Sequence, residues 1–112
     1  MADAIQVISG AGPLPITTTF QVENDGPTLI LLACSAWTQQ TGNVLIEVDL
    51  LIDGAEVASA SLFCNPIDQH MALVSAPTPY TLTIGEHTFT LQAANPQTVS
   101  DQNDFYYVTL LY

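Results

Sequence analysis

Along residues 43–64, NVLIEVDLLIDGAEVASASLFC, large apolar residues alternate with polar or smaller ones on both sides of Asp53-Gly54. Strand side chains alternate between faces, so Val44, Ile46, Val48, Leu50 and Ile52 share one face, and Leu45, Glu47, Asp49 and Leu51 share the other. Asp-Gly suits a type I′ turn, whose two central residues both need positive φ. The stretch therefore reads as a β-hairpin with one face in the core and the other half wet.

The flanking segments follow the same logic. Residues 4–8 read as a short strand, and Gly10-Ala11-Gly12-Pro13-Leu14-Pro15 as an edge or a connection, because closely spaced prolines cannot sit in a central strand. Residues 17–23, TTTFQVE, are β-branched and alternating, and Asn24-Asp25-Gly26-Pro27 is a turn. Residues 28–38, TLILLACSAWT, are nearly continuously apolar, which suits a central strand covered on both faces; the length of the run and Pro27 before it argue against a helix. Residues 39–42 turn the chain into the hairpin, and residues 65–69 lead out of it. Residues 70–75 form a modest strand that breaks at 76–79, a segment holding Pro77 and Pro79. Strands are then expected at 80–84 and 87–93, the latter with His87, Phe89, Leu91 and Ala93 on one side, and residues 95–104 form a polar loop. The chain closes on FYYVTLLY, residues 105–112.

Eight or nine antiparallel strands separated by Pro, Gly, Asn and Asp clusters predict one all-β domain over residues 1–112, a β-sandwich or barrel. A closing strand this apolar would invite aggregation at an edge, so it is expected inside its sheet, where a jelly roll places its ends.

Composition sharpens the picture through what is missing. Charged residues are 10% of the chain against roughly 25% in ordinary domains, and there is no Lys or Arg. With 11 acidic residues and a formal charge of −11, the chain repels phosphate backbones and anionic lipid heads, so nucleic acid and membrane are excluded as partners. Side-chain ion pairs can form only through His70 and His87. The N-terminal MADAIQVISGAG lacks the basic and apolar regions of a secretory signal, and the apolar run 29–36 is far short of the ~20 residues of a membrane helix.

The C-terminal third, with Gly85-Glu86-His87-Thr88-Phe89-Thr90-Leu91-Gln92-Ala93, the loop at Asp101 to Asp104 and the aromatic last strand, resembles the finish of the tumour-necrosis-factor and complement-type jelly-roll superfamily, bacterial and phage members included. The resemblance implies a jelly-roll sandwich assembling as a homotrimer, with aromatic side chains packed around a threefold axis. Phe105, Tyr107 and Tyr112 are the candidates from the last strand, with Tyr80 and Trp37 beside them. It also implies a glycan or a cell-surface protein as ligand, in an extracellular or virion-surface setting. The alternative is a purely structural subunit of a virion, tail fibre or surface layer.

A sugar site needs an aromatic face and side-chain hydrogen bonds near loops. Trp37, Gln39, Gln40, Asn43, Asp101, Asn103 and Asp104 meet that description. Glu47 and Asp49 could approach each other as an acid/base pair but read as a solvated strand face, and no G-x-S-x-G elbow is present, so no enzyme is expected. Asp101-Gln102-Asn103-Asp104 starts like a calcium loop, yet Phe105 falls where an oxygen ligand is wanted; a polar turn is expected. His70 and His87 have no Cys or acidic partner at metal spacing, so no metal and no cofactor are expected. Cys34 and Cys64 are expected as reduced, buried thiols, on strands flanking the His87 strand and about 9.6 Å apart, too far to bridge.

Overall fold

A computed structural model describes residues 3–112. Nine strands run in chain order: β1 (Ala4–Ala11), β2 (Ile16–Val22), β3 (Gly26–Ala36), β4 (Val44–Ile52), β5 (Ala55–Cys64), β6 (Met71–Ala72), β7 (Thr78–Leu82), β8 (Gly85–Ala93) and β9 (Phe105–Leu111). They form two antiparallel sheets, one ordered β1-β9-β3-β6 with β7 also paired to β3, the other ordered β2-β8-β4-β5. The chain alternates between the sheets except at the β4–β5 hairpin and the β6–β7 step, which is the path of a jelly roll. The last strand lies inside its sheet, between β1 and β3, as its apolar composition requires.

The core follows from alternation. Ile46, Val48, Leu50 and Ile52 of β4 face Ile30, Leu32 and Cys34 of β3 across the sandwich, with Phe89, Leu91, Tyr106, Val108 and Leu110 completing it. The hairpin turns at Asp53 (φ 53°) and Gly54 (φ 86°), the two positive-φ positions of the expected turn. Cys34 and Cys64 are both free and buried. Their separation has a different origin from the expected one: the strands flanking β8 are β2 and β4, whereas Cys34 lies on β3 and Cys64 on β5, in opposite sheets. Burial, with the charge of Asp104 nearby, pushes the Cys34 thiol up to about 12, so it packs as a small apolar group.

Four segments depart from expectation. β1 runs on through Gly10 to Ala11, with a register shift between Gln6 and Ile8. β7 starts at Thr78 and contains Pro79, which is accommodated because β7 is an edge strand. The expected strand at 70–75 is reduced to Met71–Ala72 on β3, after which Val74 bridges to Ser61 of β5, so this segment steps from one sheet to the other. β3 is central but covered on one face only: Ile30, Leu32 and Cys34 are buried, while Ala33 on the other side is exposed.

Candidate functional site

The jelly-roll path gathers the β1–β2, β3–β4, β5–β6 and β8–β9 connections at one end of the sandwich. Backbone hydrogen bonds tie them together. Trp37 and Val99 exchange N–H···O=C bonds of 3.0 and 2.8 Å, the Asp68 N–H donates to Thr38 O (2.9 Å), and the Gly12 N–H donates to Asp104 O (3.1 Å). The approach at Gly12 is close enough that a Cβ there would lie 2.6 Å from the Asp101 carbonyl oxygen, so the position requires glycine.

Asp104 is the hub of this end. It is buried, and its Oδ1 accepts from Ser35 Oγ (2.8 Å) and lies 2.7 Å from His70 Nδ1, while its Oδ2 accepts the Asp101 N–H (3.0 Å). The carboxylate thereby orients the imidazole and leaves Nε2 pointing outward, 3.7 Å from Asp101 Oδ2. The hydrogen bond to Asp104 holds the His70 pKa above its ordinary value; burial opposes the shift, and the charges of Asp104 and Asp101 add to it. The Trp37 ring lies 5.7 Å from the imidazole at an interplanar angle of 47°, so an indole, an imidazole and a carboxylate converge. Among the described residues, the buried Trp37 Nε1 has no hydrogen-bond partner.

Every expected ligand contact lies at this end. Trp37, Gln39, Gln40 and Asn43 are on the β3–β4 connection, and Asp101, Asn103 and Asp104 are on the β8–β9 connection. Gln39, Gln40, Asn43 and Asn103 are exposed, and the Asn103 N–H donates to Asp101 Oδ1 (2.8 Å). Asp104 departs from expectation: its oxygens are turned inward and occupied, so it positions His70 rather than meeting a ligand. His70 also departs from it. The sequence shows no acidic partner at metal-ligand spacing, but Asp101 and Asp104, more than thirty residues away, are brought beside it by the fold.

The expected interface aromatics divide. Phe105 and Tyr107 stand together on the outer face of β9, 38% and 37% exposed, with ring centroids 5.8 Å apart. Tyr112 has the opposite parity and lines a cavity at the far end of the sandwich, and Tyr80 packs half-buried against the core. The two cannot share the face of Phe105 and Tyr107.

Among the described residues, two groups of side chains have the geometry to approach a cation: His70, Asp101 and Asp104, and separately Glu47, Asp49 and Glu56, each set with one donor atom per residue within 4.8 Å of the others. In the first set Asp104 is already committed, which leaves His70 Nε2 and Asp101. In the second, Glu47 and Asp49 do share a strand face, half-buried rather than freely solvated. Burial first, then a hydrogen bond that protonated Asp49 donates to Glu47 and the charges of Glu56 and Glu47, raises the Asp49 pKa to about 6.

No family model and no curated protein matches the chain. Solved structures match its fold. A β-glucosidase from Paenibacillus barengoltzii aligns at TM-score 0.63 and 11% identity over 98% of this chain. Latent PorU from Porphyromonas gingivalis aligns at 0.58 and 12% over 96%. This chain spans only 10% and 11% of those two proteins. A family 35 carbohydrate binding module from Clostridium thermocellum aligns at 0.51 and 14% identity, over 96% of this chain and 86% of that one. At such identities the likeness is one of fold: a jelly-roll β-sandwich, with the narrower likeness to the tumour-necrosis-factor superfamily resting on the sequence resemblance alone.

Proposed function

We propose that the chain is a carbohydrate-binding module whose site is the loop end built around Trp37, His70 and Asp101. The observation that carries this reading is the convergence of the Trp37 ring, the outward Nε2 of His70 and the Asp101 carboxylate, with Gln39, Gln40, Asn43 and Asn103 on the same loops. An indole offers a surface for the apolar face of a pyranose, and the surrounding amides and carboxylate bond its hydroxyls. The likeness in fold to a carbohydrate binding module over most of that module's length supports the reading. A formal charge of −11 without Lys or Arg selects neutral glycans over uronic, sulfated or phosphorylated ones. Binding without catalysis is part of the proposal. Asp104 and His70 resemble an oriented base, but the serines of this end are engaged, Ser35 with Asp104 and Ser100 with the Tyr106 hydroxyl and the Leu14 N–H.

A glycan array with neutral and acidic arms tests it. Binding is expected on neutral glycans only, and Trp37→Ala is expected to weaken it at least about tenfold while the circular-dichroism spectrum is kept. An array without binding, or binding indifferent to Trp37→Ala, would refute the proposal.

A second reading concerns assembly. The outer face of the β1-β9-β3 sheet carries Phe105, Tyr107, Thr109 and Leu111 on β9, flanked in register by Ala11, Ser9, Gln6 and Ala4 on β1 and by Ala33, Leu31 and Leu29 on β3. None of these is charged, although the chain carries 11 acidic residues. A charge-free face on so acidic a chain favours self-association through that face, as a homotrimer or as part of a larger structural assembly.

A further inference from the structure

The end of the sandwich opposite the candidate site holds a cavity of about 370 Å³, within the range of small-molecule sites. It lies where the β2–β3 turn crosses the ends of β7 and β9. Val22, Leu82 and Leu110, all buried, give it an apolar floor. Phe20 and Tyr112 add aromatic surface, and Glu23 and Asp25 enter its wall from the turn. Tyr112 is 47% exposed, so its ring stands at the mouth.

The occupant follows from the mismatch between floor and wall. A purely apolar ligand would give Glu23 and Asp25, the acidic residues of the lining, no favourable partner. No Lys or Arg side chain is present to supply a counter-charge. His87, the one imidazole at this end, is held by Asp53 Oδ2 (2.5 Å) and Thr83 O (2.7 Å). Asp25 commits one oxygen to the Ile84 N–H (2.5 Å), and its second oxygen and the exposed Glu23 carboxylate complete the acidic groups of the wall. An alkylated ammonium answers every part of this lining. Its methyl groups pack on the apolar floor, and its diffuse charge is attracted by aromatic faces and by carboxylates without needing hydrogen bonds. A primary ammonium, in contrast, would surrender strong hydration, and an attached phosphate would be repelled by the same carboxylates. We propose that this cavity binds a small, phosphate-free molecule carrying a trimethylammonium or similar alkylated ammonium group. The proposal is independent of the glycan reading, since no residue is shared between the two ends.

Choline is the probe, titrated into the full chain and followed by NMR at Phe20, Leu82 and Tyr112. Saturable shifts at these residues are expected. The carbon isostere, with a tert-butyl group in place of the trimethylammonium, is expected to bind at least about fivefold more weakly, and phosphocholine also more weakly than choline. Tyr112→Leu keeps apolar bulk but removes the ring, and should weaken choline roughly threefold to tenfold while leaving the isostere unchanged; Glu23→Gln should do the same. Both positions are exposed, so folding is preserved. The proposal is overturned by the absence of saturable shifts, by an isostere that binds as tightly as choline, or by phosphocholine binding as tightly as choline.

Discussion

Asp49 stands on the outer side of β4 with one carboxylate oxygen buried and, among the described residues, without a hydrogen-bond partner. Its pKa is raised from 3.8 to about 6, chiefly by that burial and then by the neighbouring acids. A carboxyl whose folded pKa exceeds its unfolded one favours the fold when protonated, so the contribution is complete below 3.8 and is lost as pH rises through about 6. Asp49→Asn keeps the shape and removes the charge. It should therefore stabilise the domain by about 1 kcal/mol at about pH 8, a value discounted for the partial solvation of the group, and bring nothing near pH 3.5. Urea denaturation at the two pH values decides; equal effects at both would show that ionisation is not the cause.

The Asp53–His87 pair has the opposite balance. The Thr88 N–H, more than the His87 ring, lowers the Asp53 pKa, and the Asp53 carboxylate, then Thr83 O, raises that of His87. The acid's contribution is present above 3.8 and is lost as pH falls through its depressed folded value; the base's is present below 6.5 and is lost as pH rises through its elevated one. Stabilisation is thus greatest between those two limits. Asn tolerates the φ of 53° and suits the position before Gly54, so Asp53→Asn isolates the charge from the turn. The variant should move the His87 pKa toward 6.5 by imidazole NMR, and its loss in Tm against the parent should be greatest between pH 3.8 and 6.5 and shrink as pH rises through the elevated His87 value.

Among the elements, the β4–β5 hairpin and the buried placement of β9 were legible because each is dictated locally: Asp53-Gly54 permits one kind of turn, and a run as apolar as 105–112 has nowhere else to go. β6 and β7 were not, since their extent depends on which edge of β3 is vacant, a tertiary fact that lets Pro79 stand in a strand. The candidate site divides the same way. Its loop residues were readable by type and by their place between strands, whereas the dependence of His70 on Asp104 spans residues with no local relation. The last strand's aromatics do not form one set: strict alternation separates Tyr112 from Phe105 and Tyr107. The β1–β2 connection shows the local and tertiary levels meeting at one residue. Gly12→Ala would drive a methyl against the Asp101 carbonyl and Ser100 Oγ, whereas Gly10→Ala meets nothing within 4 Å. The first is expected to lose roughly 2–3 kcal/mol in urea denaturation and the second well under 1.

At the scale of the whole molecule, charge decides how copies meet. The sandwich measures 46 × 21 × 21 Å and carries a formal charge of −11 without a Lys or Arg, so nearly every long-range interaction within it and between copies is repulsive. In most proteins salt screens attractions and repulsions together; here it screens repulsion almost alone, over a Debye length that shrinks from ~30 Å at 0.01 M to below ~10 Å above 0.1 M. Raising NaCl from about 10 mM to about 0.3 M should therefore raise Tm and drive association, with the mass from light scattering moving from 12.0 kDa toward three times that value if the assembly is the proposed trimer. In the proposed assembly, the charge-free face of β9 is the surface through which copies meet. Tyr107→Glu places a carboxylate beside Phe105, and with no basic residue on any partner copy to receive it, the variant should stay at 12.0 kDa at the higher salt while melting within a few degrees of the parent. A parent chain that scatters as a monomer at high salt would remove the assembly reading, and a Tyr107→Glu variant that still associates would move the interface to another face.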